Sequence, residues 1–107
     1  MKVGVIGCGF FAQNHLHAWR DIDGVDVVSL CDNDQSNLFA TGKEFRIRRQ
    51  FTDAVELFEY GQFDIVDIAT TAPSHRSLVE MAARHKKHII CQKPFAESIK
   101  DARAMVS

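Results

Sequence analysis

Gly7, Gly9 and Ala12 stand at the spacing G-x-G-x-x-G/A, in the run Gly7-Cys8-Gly9-Phe10-Phe11-Ala12. Each small residue has a physical use there. Gly7 allows a tight turn out of a strand, Gly9 has no Cβ to keep a phosphate off its backbone, and Ala12 lets the following helix pack closely on a sheet. Val3-Gly4-Val5-Ile6 precedes the turn as a short apolar β run. Phe10 to Arg20 follows it, with Phe11, Ala12, His15, Leu16 and Trp19 at helical spacing. The N–H groups that open such a helix, those of Phe10 and Phe11 included, point at an anion, and the helix dipole adds positive potential. The glycines alone also suit an ordinary strand–helix turn.

A carboxylate in the right place makes the reading sharper. Asp32 ends the second apolar run, Val25 to Cys31, about twenty residues beyond the turn. With the adjoining Asn33 it is positioned to take the hydroxyls of an adenosine ribose and to repel a 2′-phosphate. The expected ligand is therefore NAD, with NADP disfavoured. The competing use of Asp32 is as N-cap of the next helix, and Asp34 can share either role.

These residues need a scaffold of alternating elements. Helical spacing is expected from Asp34 to Phe45, with Leu38, Phe39 and Gly42 inward. A short strand follows at 48–51, then a short helix capped by Thr52 or Asp53 and closed by Gly61. Phe63 to Ala69 reads as a strand covered on both faces. Pro73 or Ser74 opens a helix to Arg84 with Leu78, Val79, Met81 and Ala82 inward, His88 to Cys91 is a fifth strand, and Ser98 begins a last helix. Strands separated by helices predict an α/β fold, a doubly wound parallel sheet of Rossmann type.

Composition excludes several other classes. The chain of 107 residues suits one small domain, and 46% hydrophobic with 25% charged residues is the balance of a soluble globular protein. A net charge of −1 offers no footprint for nucleic acid, and Arg46, Arg48 and Arg49 make only a short solvated cluster. No apolar run is long enough to span a bilayer and no signal peptide opens the chain, so a cytoplasmic protein is expected. Cys8, Cys31 and Cys91 form no Cys-x-x-Cys pair and read as small buried hydrophobes; the histidines show no metal spacing.

Two later segments lie where ligands of parallel sheets bind, beyond the carboxyl ends of strands: Thr70-Thr71-Ala72-Pro73-Ser74-His75 and Gln92-Lys93-Pro94. Together with Val5-Ile6-Gly7-Cys8-Gly9, His15 and Asp64 to Thr70, their order and spacing resemble the Gfo/Idh/MocA family of NAD(P)-dependent oxidoreductases. The resemblance runs over essentially the whole chain. It implies an enzyme that moves hydride between nicotinamide and a hydroxyl or carbonyl carbon, on a sugar, cyclitol or related polyol. It places Lys93 beside the nicotinamide as the group assisting proton transfer, with Gln92, Pro94 (its peptide bond cis), Thr70, Thr71, Pro73 and His75 around the cofactor. His75 and His15 also suit purely structural roles, and Ser74 suits a helix cap. This chain departs from the family in Gln92, usually Glu, and in Thr71-Ala72 before Pro73. The family carries a second α/β domain that supplies most of the substrate pocket. Residues 1–107 thus read as the dinucleotide-binding domain alone, incomplete at its C-terminal end, of little activity by itself and expected to self-associate. The alternative is a module that holds a dinucleotide or assembles without chemistry.

Overall fold

A computed structural model describes residues 1–69 and 72–91, apart from the side chains of Phe10, Phe11, residues 72–76 and Cys91. Thr70, Thr71, Gln92, Lys93, Pro94 and the helix expected from Ser98 lie outside the described residues. Strands β1 (Lys2–Ile6), β2 (Asp26–Cys31), β3 (Arg49–Phe51), β4 (Ile65–Ile68) and β5 (His88–Cys91) alternate with helices α1 (Phe10–Arg20), α2 (Gln35–Phe45), α3 (Ala54–Tyr60) and α4 (Ala72–Arg84). All strand pairs are parallel, in the order β3-β2-β1-β4-β5. The order reverses between β1 and β4, which makes the carboxyl ends of those two strands the switch point of a doubly wound sheet.

Each face of the sheet has its own core. Leu16, Trp19 and Leu38 from α1 and α2 pack on Val3, Val5, Leu30, Ile65 and Ile90. On the other face, Leu57, Phe58, Leu78 and Ala82 from α3 and α4 pack on Ile6, Cys31, Val66 and Ile68. Side chains alternate along a strand, so a sheet buried on both faces needs the near-continuous apolar runs seen in β1 and β4. The β1–β2 register slips by one residue between Val3 and Gly4, pairing Val3 with Val27 and Val5 with Leu30. Val27 and Leu30 thereby reach the same core despite their odd spacing.

Ser29 sits beside this slip, fully buried, and its Oγ has no hydrogen-bond partner among the described residues. A buried hydroxyl without a partner costs its desolvation. Ser29→Ala is therefore expected to raise stability by about 1 kcal/mol, seen as a higher urea midpoint at an unchanged m-value; a lower midpoint would show that the hydroxyl has a use.

The ends of the elements follow from local chemistry. Asp34 caps α2, its Oδ1 accepting from Ser36 N at 3.0 Å and Asn37 N at 3.1 Å. Asp53, rather than Thr52, caps α3 by accepting from Val55 N at 2.9 Å. That helix runs to Tyr60 before Gly61 closes it at φ 61°, as expected. Two expectations need correction. Phe39 is not inward but 68% exposed. The buried stripe of α2 is Leu38, Thr41 and Gly42, and Phe39 lies about 100° round the helix from Leu38. Ser74 is not a cap, because α4 already begins at Ala72; Pro73 then falls in the first turn, where a missing N–H costs nothing.

Candidate functional site

The last residues of the five strands form one row. Ile6 pairs with Cys31 and with Ile68, Cys31 pairs with Phe51, and Ile68 pairs with Cys91. The glycine turn and Asp32 therefore leave the sheet from the same rim at which β4 and β5 end. Ile6 and Ile68, far apart in sequence, thereby end neighbouring strands.

Gly7 has φ 105°, a backbone conformation that a side chain resists, and its N–H donates to Cys31 O at 2.7 Å. This bond fastens the turn to the end of β2. Gly9 is different. It is the N-cap of α1 in ordinary extended conformation, φ −81° and ψ −166°. Among the described residues, a Cβ added there would meet nothing within 4 Å. The described packing thus gives no reason for glycine at position 9. Gly9 makes no side-chain cap and no acid lies in the first turn of α1, so the helix end offers its amides outward without a competing carboxylate. Ala12 is fully buried, which fits the close helix–sheet approach expected of the third small residue.

Asp32 is half-buried and already tied into this turn. Its Oδ2 accepts from Cys8 N at 2.8 Å and its Oδ1 accepts from Asp34 N at 2.8 Å. The two aspartates, which sequence left interchangeable, are thereby sorted: Asp34 is the cap, and Asp32 faces the glycine turn. Each carboxylate oxygen keeps a second lone pair for a ribose hydroxyl. Asn33 is exposed beside it. Pro73 and His75 lie on the backbone of the first turns of α4. The structure therefore brings Gly7, Gly9, Ala12, Asp32 and Asn33 together, with the start of α4 following β4 at the same rim.

Gln13 and Thr41 belong to the same assembly and were not anticipated. Gln13 Nε2 donates to Thr41 Oγ1 at 3.0 Å and to Cys8 O at 3.4 Å, bracing the turn against α2. Thr41 is buried on the inner stripe of α2; a polar residue at an inward helical position was the available signal. Cys8 and Cys31 are buried free thiols, as expected of small core residues. Burial, with Asp32 nearby, pushes the Cys8 thiol up to about 12, and burial with Cys8 and Asp32 nearby does the same for Cys31. Since both values are raised, each thiol stays protonated at neutral pH, and the associated stability is lost only as pH rises from 9 towards 12.

His15 lies in the body of the domain. It is 3% exposed, and its Nδ1 is 2.9 Å from both carboxylate oxygens of the fully buried Asp67. Trp19, expected in the core, is fully buried, and its Nε1 donates to Asp67 Oδ2 at 2.8 Å. Asp67 was hidden in the apolar run of β4. Arg46, Arg48 and Arg49 are exposed, as expected of a solvated cluster. Among the described residues, no helix is long and apolar enough to cross a membrane.

Comparison with known proteins agrees with this geometry. The chain is 59% identical over 106 residues to the D-apiose dehydrogenase of Paraburkholderia graminis and 56% identical over 106 residues to that of Rhizobium rhizogenes. These matches take in 99% of this chain but only 28% and 31% of the relatives. The crystal structure of an oxidoreductase from Agrobacterium radiobacter, in complex with NAD+, L-tartaric acid and magnesium, superposes with a TM-score of 0.85 at 56% identity, over 99% of this chain and 31% of that one. The family model described as "Oxidoreductase family, NAD-binding Rossmann fold" matches residues 1–107. The chain therefore belongs to the Gfo/Idh/MocA oxidoreductases, whose NAD-binding Rossmann fold it forms.

Proposed function

We propose that residues 1–107 are the dinucleotide-binding unit of an NAD-dependent dehydrogenase acting on a sugar or polyol. The observation that carries the cofactor reading is Gly9, whose missing Cβ leaves open space at an uncapped helix start. Gly7, Gly9 and the amides of Phe10 and Phe11 hold the pyrophosphate, and Ala12 lets their helix sit close to the sheet. Asp32 and Asn33 take the adenosine ribose. Thr70, Thr71, Pro73, His75, Gln92, Lys93 and Pro94 surround the nicotinamide half; this assignment rests on the family pattern and on the alignment of the strand ends that precede them.

The relatives are more than three times as long as the matched region, so the reaction is proposed for a protein of their length. Bound NAD supplies a hydride acceptor at the nicotinamide C4. Lys93 Nζ accepts the proton of the substrate hydroxyl as the carbonyl forms, and returns it in reduction. Gln92 keeps the hydrogen-bonding capacity of the family's usual glutamate without its charge. D-apiose is the first substrate to test, because the two relatives at 59% and 56% identity act on it by name.

Fluorescence titration of this chain tests the cofactor reading. NADH is expected to bind, and NADPH to bind at least about tenfold more weakly, because a unit charge about 4 Å from another is worth about 4 kcal/mol at a protein surface. Gly9→Ala should fold with a loss of about 1 kcal/mol, because Gly outranks Ala at an N-cap, yet bind NADH about tenfold or more weakly. Unaltered binding by Gly9→Ala, or tighter binding of NADPH than of NADH, would overturn this site.

A further inference from the structure

We propose that the buried group Asp67, His15 and Trp19 is a positioning network that sets the phosphate-binding turn against the nicotinamide side of the rim; the proposal rests on the cofactor reading above. Asp67 is fully buried in the strand beside β1, and it engages two side chains of α1 at 2.8–2.9 Å. His15 lies six residues after Gly9, about 9 Å along the helix. Asp67 lies one residue before Ile68, the end of β4, and two before Ala69, about 7 Å along the chain. The network therefore joins the element that holds the pyrophosphate to the element that ends at the nicotinamide side, across the switch point between β1 and β4.

Apolar contacts cannot fix that relation as tightly. Core packing tolerates sliding of one apolar surface on another, whereas a carboxylate shared by an imidazole and an indole N–H has one satisfactory geometry. A tilt of α1 by about 5° about His15 moves Gly9 by about 0.8 Å over that 9 Å arm. An error of this size matters to a ligand gripped at both ends, because misplacements near 1 Å are strongly felt. It matters much less to ADP, whose pyrophosphate and ribose sites are joined directly, Gly7 N donating to Cys31 O at 2.7 Å and Cys8 N to Asp32 Oδ2 at 2.8 Å. The expected signature is selective: the network governs affinity for the whole dinucleotide and leaves affinity for its adenosine diphosphate half nearly alone.

The test compares NADH with ADP by calorimetric titration of the wild-type chain, Asp67→Asn and Trp19→Phe, with a thermal melt of each. Asp67→Asn keeps the size and one acceptor but loses the shared carboxylate. Trp19→Phe keeps the Asp67–His15 pair and removes the indole N–H. Asp67→Asn is expected to weaken NADH about tenfold, and Trp19→Phe about threefold, with ADP within twofold of wild type in both. Trp19 is the chain's single tryptophan, so a shifted emission in Asp67→Asn reports directly that its partner has changed. If Asp67→Asn does not fold, the same NADH-to-ADP ratio is read from Trp19→Phe. A lowered melting temperature with both affinities unchanged, or with both reduced equally, would show the network to be a staple of the core and overturn the positioning role. Absence of NADH binding by the wild-type chain would instead overturn the cofactor reading, and the network's role would fall with it.

Discussion

Lys93→Ala, made in a protein of the relatives' full length, is expected to lower kcat for oxidation of the sugar or polyol by about 10²- to 10⁴-fold, the usual worth of a positioned proton-transfer group. NADH affinity should stay within about threefold of wild type, because the site proposed for pyrophosphate and ribose, Gly7, Gly9 and Asp32, lies at the other end of the ligand and a threefold change is under 1 kcal/mol. The separation of the two effects is the point of the experiment. A lysine that served only as a surface charge would change neither quantity. One that anchored the cofactor would change Kd along with kcat. The chain geometry supports the proposed position: Lys93 follows Cys91, the last residue of β5, by two residues, and two residues span at most about 7 Å. Cys91 is in register with Ile68, and Ile68 with Ile6, whose strand ends at the glycine turn. Gln92 adds a second arm. If its neutral side chain suffices where the family usually has glutamate, Gln92→Glu should leave the Lys93 effect intact. Full activity in Lys93→Ala would remove the lysine from the chemistry, and the carry-over from the family would fail at that position.

How much of this was visible in the sequence depended on the kind of signal. Gly7, Gly9 and Ala12 were legible because each answers a local demand: a positive φ, an open approach or a close helix packing. The strands were legible because a sheet covered on both faces needs continuous apolar runs, as in Ile65-Val66 and Ile89-Ile90. The inward face of α2 was only half legible. Leu38 and Phe39 are adjacent and both apolar, and the buried residue that decides between them is the polar Thr41, which a hydrophobic pattern discounts. Asp32 and Asp34 could not be separated by spacing, since either suits a cap; only the approach of the glycine turn, through Cys8 N, draws Asp32 away from the helix. Lys93 carried no local signal at all and was visible only through the family resemblance.

Asp67 is the extreme case of that blindness, and it carries the largest expected effect on stability. In sequence it interrupts an apolar strand, and its partners His15 and Trp19 stand 52 and 48 residues away, beyond any periodicity. In the fold it is fully buried, with His15 and Trp19 almost completely so. Asp67→Ala removes the acceptor facing His15 Nδ1 and Trp19 Nε1 and leaves a void beside them. Breaking a buried pair by deleting one partner costs about 3–5 kcal/mol, against a total of about 5–15 kcal/mol for a domain. The variant is therefore expected to melt far below the wild type or to be largely unfolded. The cost comes from stranded polar groups more than from a lost attraction, and this has a checkable consequence. Replacing both members, as His15→Leu with Asp67→Leu, should cost less than Asp67→Leu alone, because the imidazole nitrogen no longer faces an apolar wall. Urea unfolding of the two single variants and the double variant gives the coupling directly. A double variant less stable than the sum of its singles would mean that the pair is held for something other than mutual satisfaction of buried polar groups.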